Sequence, residues 1–227
     1  MAKYTLIENA QQLDRFHQDL SKADWLCFDT EFVGEKRFKT LICLIQVTAE
    51  TGNYLLDPLR LPHFDPLLDL IQDPKVLKVT HAGENDYRLI YQQHDVLPRN
   101  VFDTQIAAGL LGYHYPYGLS KIVSGELNIR LRKGFAVTDW EARPFSQKQL
   151  DYALEDVIIL KPLWEKLDQG LRKHNRLAWA EEECSQLEDP DFYYQDPHHE
   201  ALNSNLITSL KEKEQIFLIR LFQWRRQ

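Results

Sequence analysis

The chain has few cysteines, a deficit of positive charge, and no apolar run long enough to cross a membrane. Its three cysteines, Cys27, Cys43 and Cys184, are scattered, and two of them sit inside apolar runs. That pattern excludes a disulfide framework and a zinc site, and buried thiols suit a reducing cytoplasm. The first residues lack the charged-then-apolar pattern of a secretory leader. Lys and Arg number 27 against 34 Asp and Glu, a formal net charge of -7. Broad, sequence-independent binding to long nucleic acids relies on basic surface, so this balance argues against it. It leaves room for an enzyme that grips a strand end locally, because carboxylates clustered around metals would themselves add negative charge. No internal repeat or low-complexity tract is present. What the chain does have is 227 residues with 44% hydrophobic content, enough for one large domain or a domain with a C-terminal appendage.

Periodicity organises the first half. Leu6 to Leu20 has helical content, with Leu13, Phe16 and Leu20 at spacings of three and four. Trp25–Phe28, Leu41–Val47 and Asn53–Leu56 read as strands, and Thr51-Gly52-Asn53 is a hairpin turn signal, so an antiparallel meander is expected. Helix, strand, helix, strand and helix follow at Leu67–Ile71, Val76–Thr80, Glu84–Gln93, Val101–Phe102 and Gln105–Leu111. A meander followed by alternation implies an α/β fold, a mixed five- to six-stranded sheet flanked by helices. From Gly118 the pattern turns helical, with one helix to Leu127 and another opening at Ser146, where Gln149 completes a capping box. That second helix should run through Tyr152 and Asp156 towards Leu167, with a kink or local break at Pro162. Residues 187–203 carry Asp189-Pro190 and Asp196-Pro197 with little periodicity and read as a linker or arm between an N-terminal domain (1–186) and a C-terminal helix (204–227). Leu206, Leu210, Phe217, Leu221 and Trp224 suggest that this helix is amphipathic, ending at Arg225-Arg226.

The chemistry centres on Phe28-Asp29-Thr30-Glu31-Phe32, two carboxylates one residue apart at the end of an apolar strand. Alternation puts Asp29 and Glu31 on one face. Neighbouring anions raise each other's pKa unless a cation lies between them, and hard oxygen donors favour magnesium or manganese. On these five residues alone, an ordinary strand end is the more economical account. Val79 to Asp86 is a strand passing through Gly83 into a helix, a common place for sites in α/β sheets. Asp86 on its first turn is also what the helix dipole favours. Tyr152 and Asp156 share a helix face at a spacing of four, a spacing frequent in amphipathic helices; Asp151 and Glu155 lie on other faces. Arg130, Arg132 and Lys133 form a local basic segment suited to phosphate contacts or to simple solvation. Asp103, just ahead of a helix, reads as an N-cap.

In this order, Phe28-Asp29-Thr30-Glu31-Phe32, His81-Ala82-Gly83 with Asp86, and Tyr152-Ala153-Leu154-Glu155-Asp156 resemble the ribonuclease D branch of the DEDD 3′–5′ exonucleases, in its tyrosine-containing subgroup. Leu44-Ile45-Gln46, Phe102-Asp103-Thr104-Gln105 and Thr138-Asp139-Trp140-Glu141-Ala142-Arg143-Pro144 strengthen the likeness, which covers roughly residues 4–180. The resemblance implies a ribonuclease H-like exonuclease fold. It also implies 3′–5′ hydrolysis of RNA to nucleoside 5′-monophosphates with two divalent ions (Mg2+ or Mn2+) held by Asp29, Glu31, Asp86 and Asp156. Tyr152 would orient the attacking water, since a phenol is a poor base at neutral pH. Thr30 and Phe32 would touch the terminal nucleotide, and His81 is a further candidate contact. The implied partner is a single-stranded 3′ end, RNA favoured, with maturation of tRNA or other stable RNA as the setting. The implied C-terminus is the start of a helicase-and-ribonuclease-D C-terminal module. A DNA-directed exonuclease and a noncatalytic RNA-binding module are the alternatives.

Overall fold

The structure is a computed structural model that describes residues 3–34, 37, 39–132, 138–194 and 196–225. Lys133 and Arg226, both part of the expectations above, lie outside these residues. By internal contacts the chain divides into two units, 1–189 and 190–227.

The first unit is built on a six-stranded sheet of order β1-β4-β3-β2-β5-β6, comprising β1 (Thr5–Ile7), β2 (Trp25–Val33), β3 (Leu41–Ala49), β4 (Gly52–Leu56), β5 (Leu77–Thr80) and β6 (Val101–Asp103). β2, β3 and β4 form the expected antiparallel meander, and the remaining pairings are parallel. β3 is buried from Ile42 to Ala49, because the run is apolar on both faces apart from Gln46 and Thr48 and both faces are covered. The helices are α1 (Ala10–Leu20), α2 (Asp65–Gln72), α3 (Glu84–His94), α4 (Thr104–Leu110), α5 (Leu119–Leu127), α6 (Gln147–Ile158), α7 (Leu160–Lys173) and α8 (Leu177–Ser185).

β1 corrects the reading of Leu6 to Leu20 as one helical stretch. Three residues are too few to show a period, and β1 exists because it pairs in parallel with β4. The helix begins afterwards, where the Asn9 side chain accepts from the Gln12 N–H. The capping box at Ser146 and Gln149 forms as expected. The break before Pro162 also forms, leaving α6 and α7 as separate helices, since proline has no N–H to offer the Ile158 carbonyl. One core cluster joins Cys27, Leu44, Leu55 and Val79 of the sheet to Ala153, Leu154 and Val157 of α6. On the other face the Phe28 ring lies 5.8 Å from that of Tyr87 on α3.

The stretch read as a linker is not featureless. It contains a 3-10 turn (Gln186–Glu188) and two short helices, α9 (Pro190–Tyr193) and α10 (Pro197–Leu202). Asp-Pro here starts helices: the Asp196 carboxylate caps the His198 N–H, and proline at the first helical position gives up a donor that would go unused. The C-terminal helix expected over 204–227 is α11, Glu212–Arg225. Leu206 and Leu210 fall outside it, because Leu210 is extended and ends a separate 3-10 turn. Nor is α11 a one-sided amphipath. Apolar residues from Ile216 to Trp224 surround it, with Leu218 buried and Phe217, Leu221 and Trp224 exposed.

Candidate active site

β5 pairs with β2 only from Trp25 to Cys27, so Asp29 to Val33 run on beyond the end of β5. At that level the chain leaves β5, turns through His81-Ala82-Gly83 and enters α3. Ala82 takes a left-handed φ of 58°. The turn is held by one buried carboxylate: Asp103 accepts from the Ala82 N–H at 3.1 Å and the Gly83 N–H at 2.8 Å, and from the Thr80 hydroxyl at 3.3 Å. It also caps α4 through the Gln105 and Ile106 N–H groups, as the sequence predicts. Its grip on the turn was not visible in the sequence, because the partners lie twenty or more residues away. Glycine is required at position 83 for want of space. A Cβ there would sit 2.6 Å from Thr80 Oγ1 and 2.7 Å from Thr80 Cβ. Gly83→Ala is therefore expected to destabilise the fold by about 1–3 kcal/mol, measured by urea unfolding, and to move α3 relative to β2.

That turn delivers Asp86, which is 6% exposed, to the first turn of α3. The Thr30 hydroxyl, on the opposite face of β2 from Asp29 and Glu31, donates to Asp86 Oδ1. The Thr30 side chain is thus engaged with an acid. Asp29 and Glu31 share the face covered by α6, which carries Tyr152 and Asp156. The Tyr152 hydroxyl donates to the Asp156 carboxylate.

The four acids act as one electrostatic group. Burial raises Asp29 well above the usual carboxylate range, and Asp86, Glu31 and Asp156 raise it further. Burial, then Asp156 and Asp86, push Glu31 up to about 8. Burial lifts Asp86 to about 7 against the hydrogen bond from Thr30, and lifts Asp156 to about 6 against that from Tyr152. The phenol of Tyr152 is itself pushed upward by burial and by Asp156, Glu31 and Asp29. Among the described residues no three His, Cys, Asp or Glu groups stand close enough to form a ready-made cation cage. The donor chemistry nonetheless fits hard divalent ions. Asp29, whose ionisation Asp86, Glu31 and Asp156 oppose, and Glu31, opposed by Asp156 and Asp86, have a net need for positive charge, and carboxylate oxygens are the donors such ions take.

The other candidates separate. Phe32 is 39% exposed beside Glu31. His81 Nδ1 lies 2.9 Å from the Thr104 hydroxyl, and burial lowers its pKa against Asp103 and a hydrogen bond to the Tyr117 backbone. Arg132 pairs with Asp151 at 3.3 Å and Glu155 at 3.9 Å, on faces of α6 away from the four acids. Arg130 is exposed. Sequence reasoning missed Asp57. This fully buried carboxylate receives Arg143 in two bonds, 2.6 Å from Nε and 2.7 Å from Nη2, while Arg143 also reaches the carbonyls of Trp140 and Cys43. The latch fixes the segment bearing Trp140, whose ring lies 6.4 Å from that of Tyr152.

Comparisons with known proteins bear on the family and the fold. A model of the 3′–5′ exonuclease family matches residues 4–172. The chain is similar to the ribonuclease D of Zymomonas mobilis, 40% identical over 200 residues, which cover 87% of this chain and 51% of that protein. The chain thus spans about half the length of that relative. Among solved structures it is similar to Escherichia coli RNase D, described as an exoribonuclease involved in structured RNA processing. The TM-score is 0.88 at 26% identity, over 99% of this chain and 61% of that one. It is also similar to Brucella melitensis NrnC with bound Mg2+, with a TM-score of 0.71 at 26% identity over 85% of this chain and 92% of that one. The mixed six-stranded sheet flanked by helices is the architecture these exonucleases share.

Proposed function

This chain belongs to the 3′–5′ exonuclease family, and on that premise we propose that it is a metal-dependent exoribonuclease that removes nucleoside 5′-monophosphates from RNA 3′ ends. The observation that carries the reading is geometric: Asp29 and Glu31 share the β2 face covered by α6, which bears Tyr152 bonded to Asp156, while Asp86 is held to β2 by the Thr30 hydroxyl. The ribonuclease D relatives favour RNA, with tRNA or other stable RNA as substrate, and the Mg2+ bound by NrnC favours divalent ions as cofactors.

Asp29, Glu31, Asp86 and Asp156 would hold two Mg2+ or Mn2+ ions. When bound, such ions lower the pKa of water and stabilise charge on a leaving 3′ oxygen. Tyr152 keeps its proton at neutral pH and spends it on Asp156, so its oxygen is left as an acceptor that orients the attacking water. The Thr30 hydroxyl donates to one oxygen of Asp86 and so fixes how that carboxylate is turned. The exposed ring of Phe32 offers a stacking surface to the terminal base, a contact that tolerates any base. A cytoplasmic setting accords with the three free, buried cysteines.

The deciding experiment compares 3′- and 5′-labelled single-stranded RNA and DNA of one sequence, with Mg2+ or Mn2+ and with excess EDTA. Stepwise 3′ shortening of RNA that stops in EDTA is expected. Internal cleavage, or full activity in EDTA, would refute the proposal.

The raised acids also set a pH dependence. A carboxylate held above its ordinary pKa keeps its proton until the folded-state value is passed, and a cation must displace that proton. At pH 6 Glu31 (about 8) and Asp86 (about 7) are protonated and Asp156 (about 6) is half so. Mn2+ affinity is therefore expected to rise steeply from pH 6 to 8 and to flatten above. With Asp29 also raised, calorimetry in buffers of different ionisation enthalpy should show more than two protons released per protein near pH 6 and fewer at pH 8.5.

A further inference from the structure

Gln46 stands out as a buried polar group with no use in the fold. It lies in the middle of β3, is 0% exposed, and neither its Nε2 nor its Oε1 has a hydrogen-bond partner. Buried amides are normally satisfied, and an orphaned one carries a desolvation penalty with nothing to offset it. Position supplies a reason. In the antiparallel ladder Gln46 is directly opposite Asp29, and directly opposed residues project to the same face with Cβ atoms about 4.5–5.5 Å apart. Its other cross-strand neighbour is Leu55. Along its own strand it is flanked on that face by Leu44, which is apolar, and by Thr48, whose hydroxyl is spent on Asn53. The face is roofed by Ala153 and Leu154 of α6. Asp29 is thus the polar neighbour that the sheet places across from this amide.

Resting on the metal-dependent reading above, we propose that Gln46 is a positioning residue for Asp29. Its Nε2 donates to the Asp29 carboxylate once that group is ionised on a cation, and this fixes which oxygen is presented. Partners of this kind set the orientation of ligating carboxylates, and their loss typically costs about 10–100-fold in metal affinity or activity. The amide pays its desolvation in the metal-free fold and recovers it when the site is loaded.

The test uses Gln46→Met, which keeps the side chain's length and removes its polarity. Three readouts are expected. The melting temperature of the metal-free variant equals or exceeds that of wild type, since an orphan group has been removed. Mn2+ affinity, followed by calorimetry, falls about tenfold or more. The kcat on RNA falls about 10–100-fold while KM stays within about twofold. Mn2+ affinity within twofold of wild type would overturn the inference. Should the variant fail to fold, the side-chain amide resonance of Gln46 in the wild-type protein decides: it should shift on addition of Mg2+ and stay put in Asp29→Asn, and an unmoved wild-type resonance overturns the inference. Asp29→Asn also separates the two readings. Equal Mn2+ binding by wild type and Asp29→Asn defeats the metal site and the inference together. Loss of binding in Asp29→Asn with wild-type binding in Gln46→Met defeats the inference alone.

Discussion

Asp29→Asn is expected to reduce RNA hydrolysis by about 10³-fold or more while making the metal-free protein more stable. The loss follows from removing a ligand at the centre of the carboxylate group, where bound cations contribute several kcal/mol to the transition state. The gain follows from the raised pKa values. An acid whose folded-state pKa lies above its unfolded value favours folding while protonated. That contribution is present below the unfolded pKa near 4 and is lost as pH rises through the folded value. For Asp156, Asp86 and Glu31 the folded values are about 6, 7 and 8, so at pH 8 the metal-free site opposes folding. Replacing Asp29 by a neutral isostere relieves its repulsion with all three. A rise in metal-free melting temperature of roughly 2–6 °C at pH 8 is expected, the scale of one to two kcal/mol in a chain of this size. The rise should shrink towards pH 5, where the wild-type acids are protonated. Scanning calorimetry over that range checks both statements, and a variant less stable than wild type at pH 8 would contradict the electrostatic account.

The second large effect is purely structural. Arg143→Ala removes two hydrogen bonds, at 2.6 and 2.7 Å, from the Asp57 carboxylate, which has no solvent exposure and among the described residues keeps only the Leu59 N–H at 3.0 Å and the exposed Arg60 at 3.7 Å. Removing one partner of a buried ion pair typically costs about 3–5 kcal/mol, and the remaining Arg60 contact places the expected loss towards the lower end, about 3 kcal/mol. Arg143 also stacks on Phe145, 3.8 Å from the ring centroid, so some packing is lost as well. The double variant Asp57→Leu/Arg143→Leu, which removes both charges, is expected to recover roughly half or more of that loss. Urea unfolding of the single and double variants measures the coupling. A single-variant loss under about 1 kcal/mol would mean that water reaches Asp57 readily, as at a surface pair.

These two effects lie at opposite ends of what residue order reveals. The shared face of Asp29 and Glu31 was legible because strand alternation is a local rule, and that of Tyr152 and Asp156 because four residues make about one turn of helix; joining the four into one site took the family resemblance. The capping box at Ser146 and the break before Pro162 were legible for the same reason. β1 was not, since three residues carry no period and form a strand only by pairing with β4. The short helices at Pro190 and Pro197 were hidden by reading Asp-Pro as a breaker when it also starts helices. The bounds of α11 were misjudged because Leu206 and Leu210 extended an apolar spacing that the backbone does not follow.

The sequence by itself determined which residue types are present for the chemistry and on which local faces they stand, because those depend on periods of two and 3.6. Only the tertiary structure decided what each buried polar group is for. It sends the Thr30 hydroxyl to Asp86, gives Asp103 a second task at the Ala82-Gly83 turn, locks Arg143 onto Asp57 and leaves Gln46 facing Asp29. The reason is physical. A buried donor or acceptor must find its partner in space, and the partners found here lie from 20 to 86 residues away along the chain.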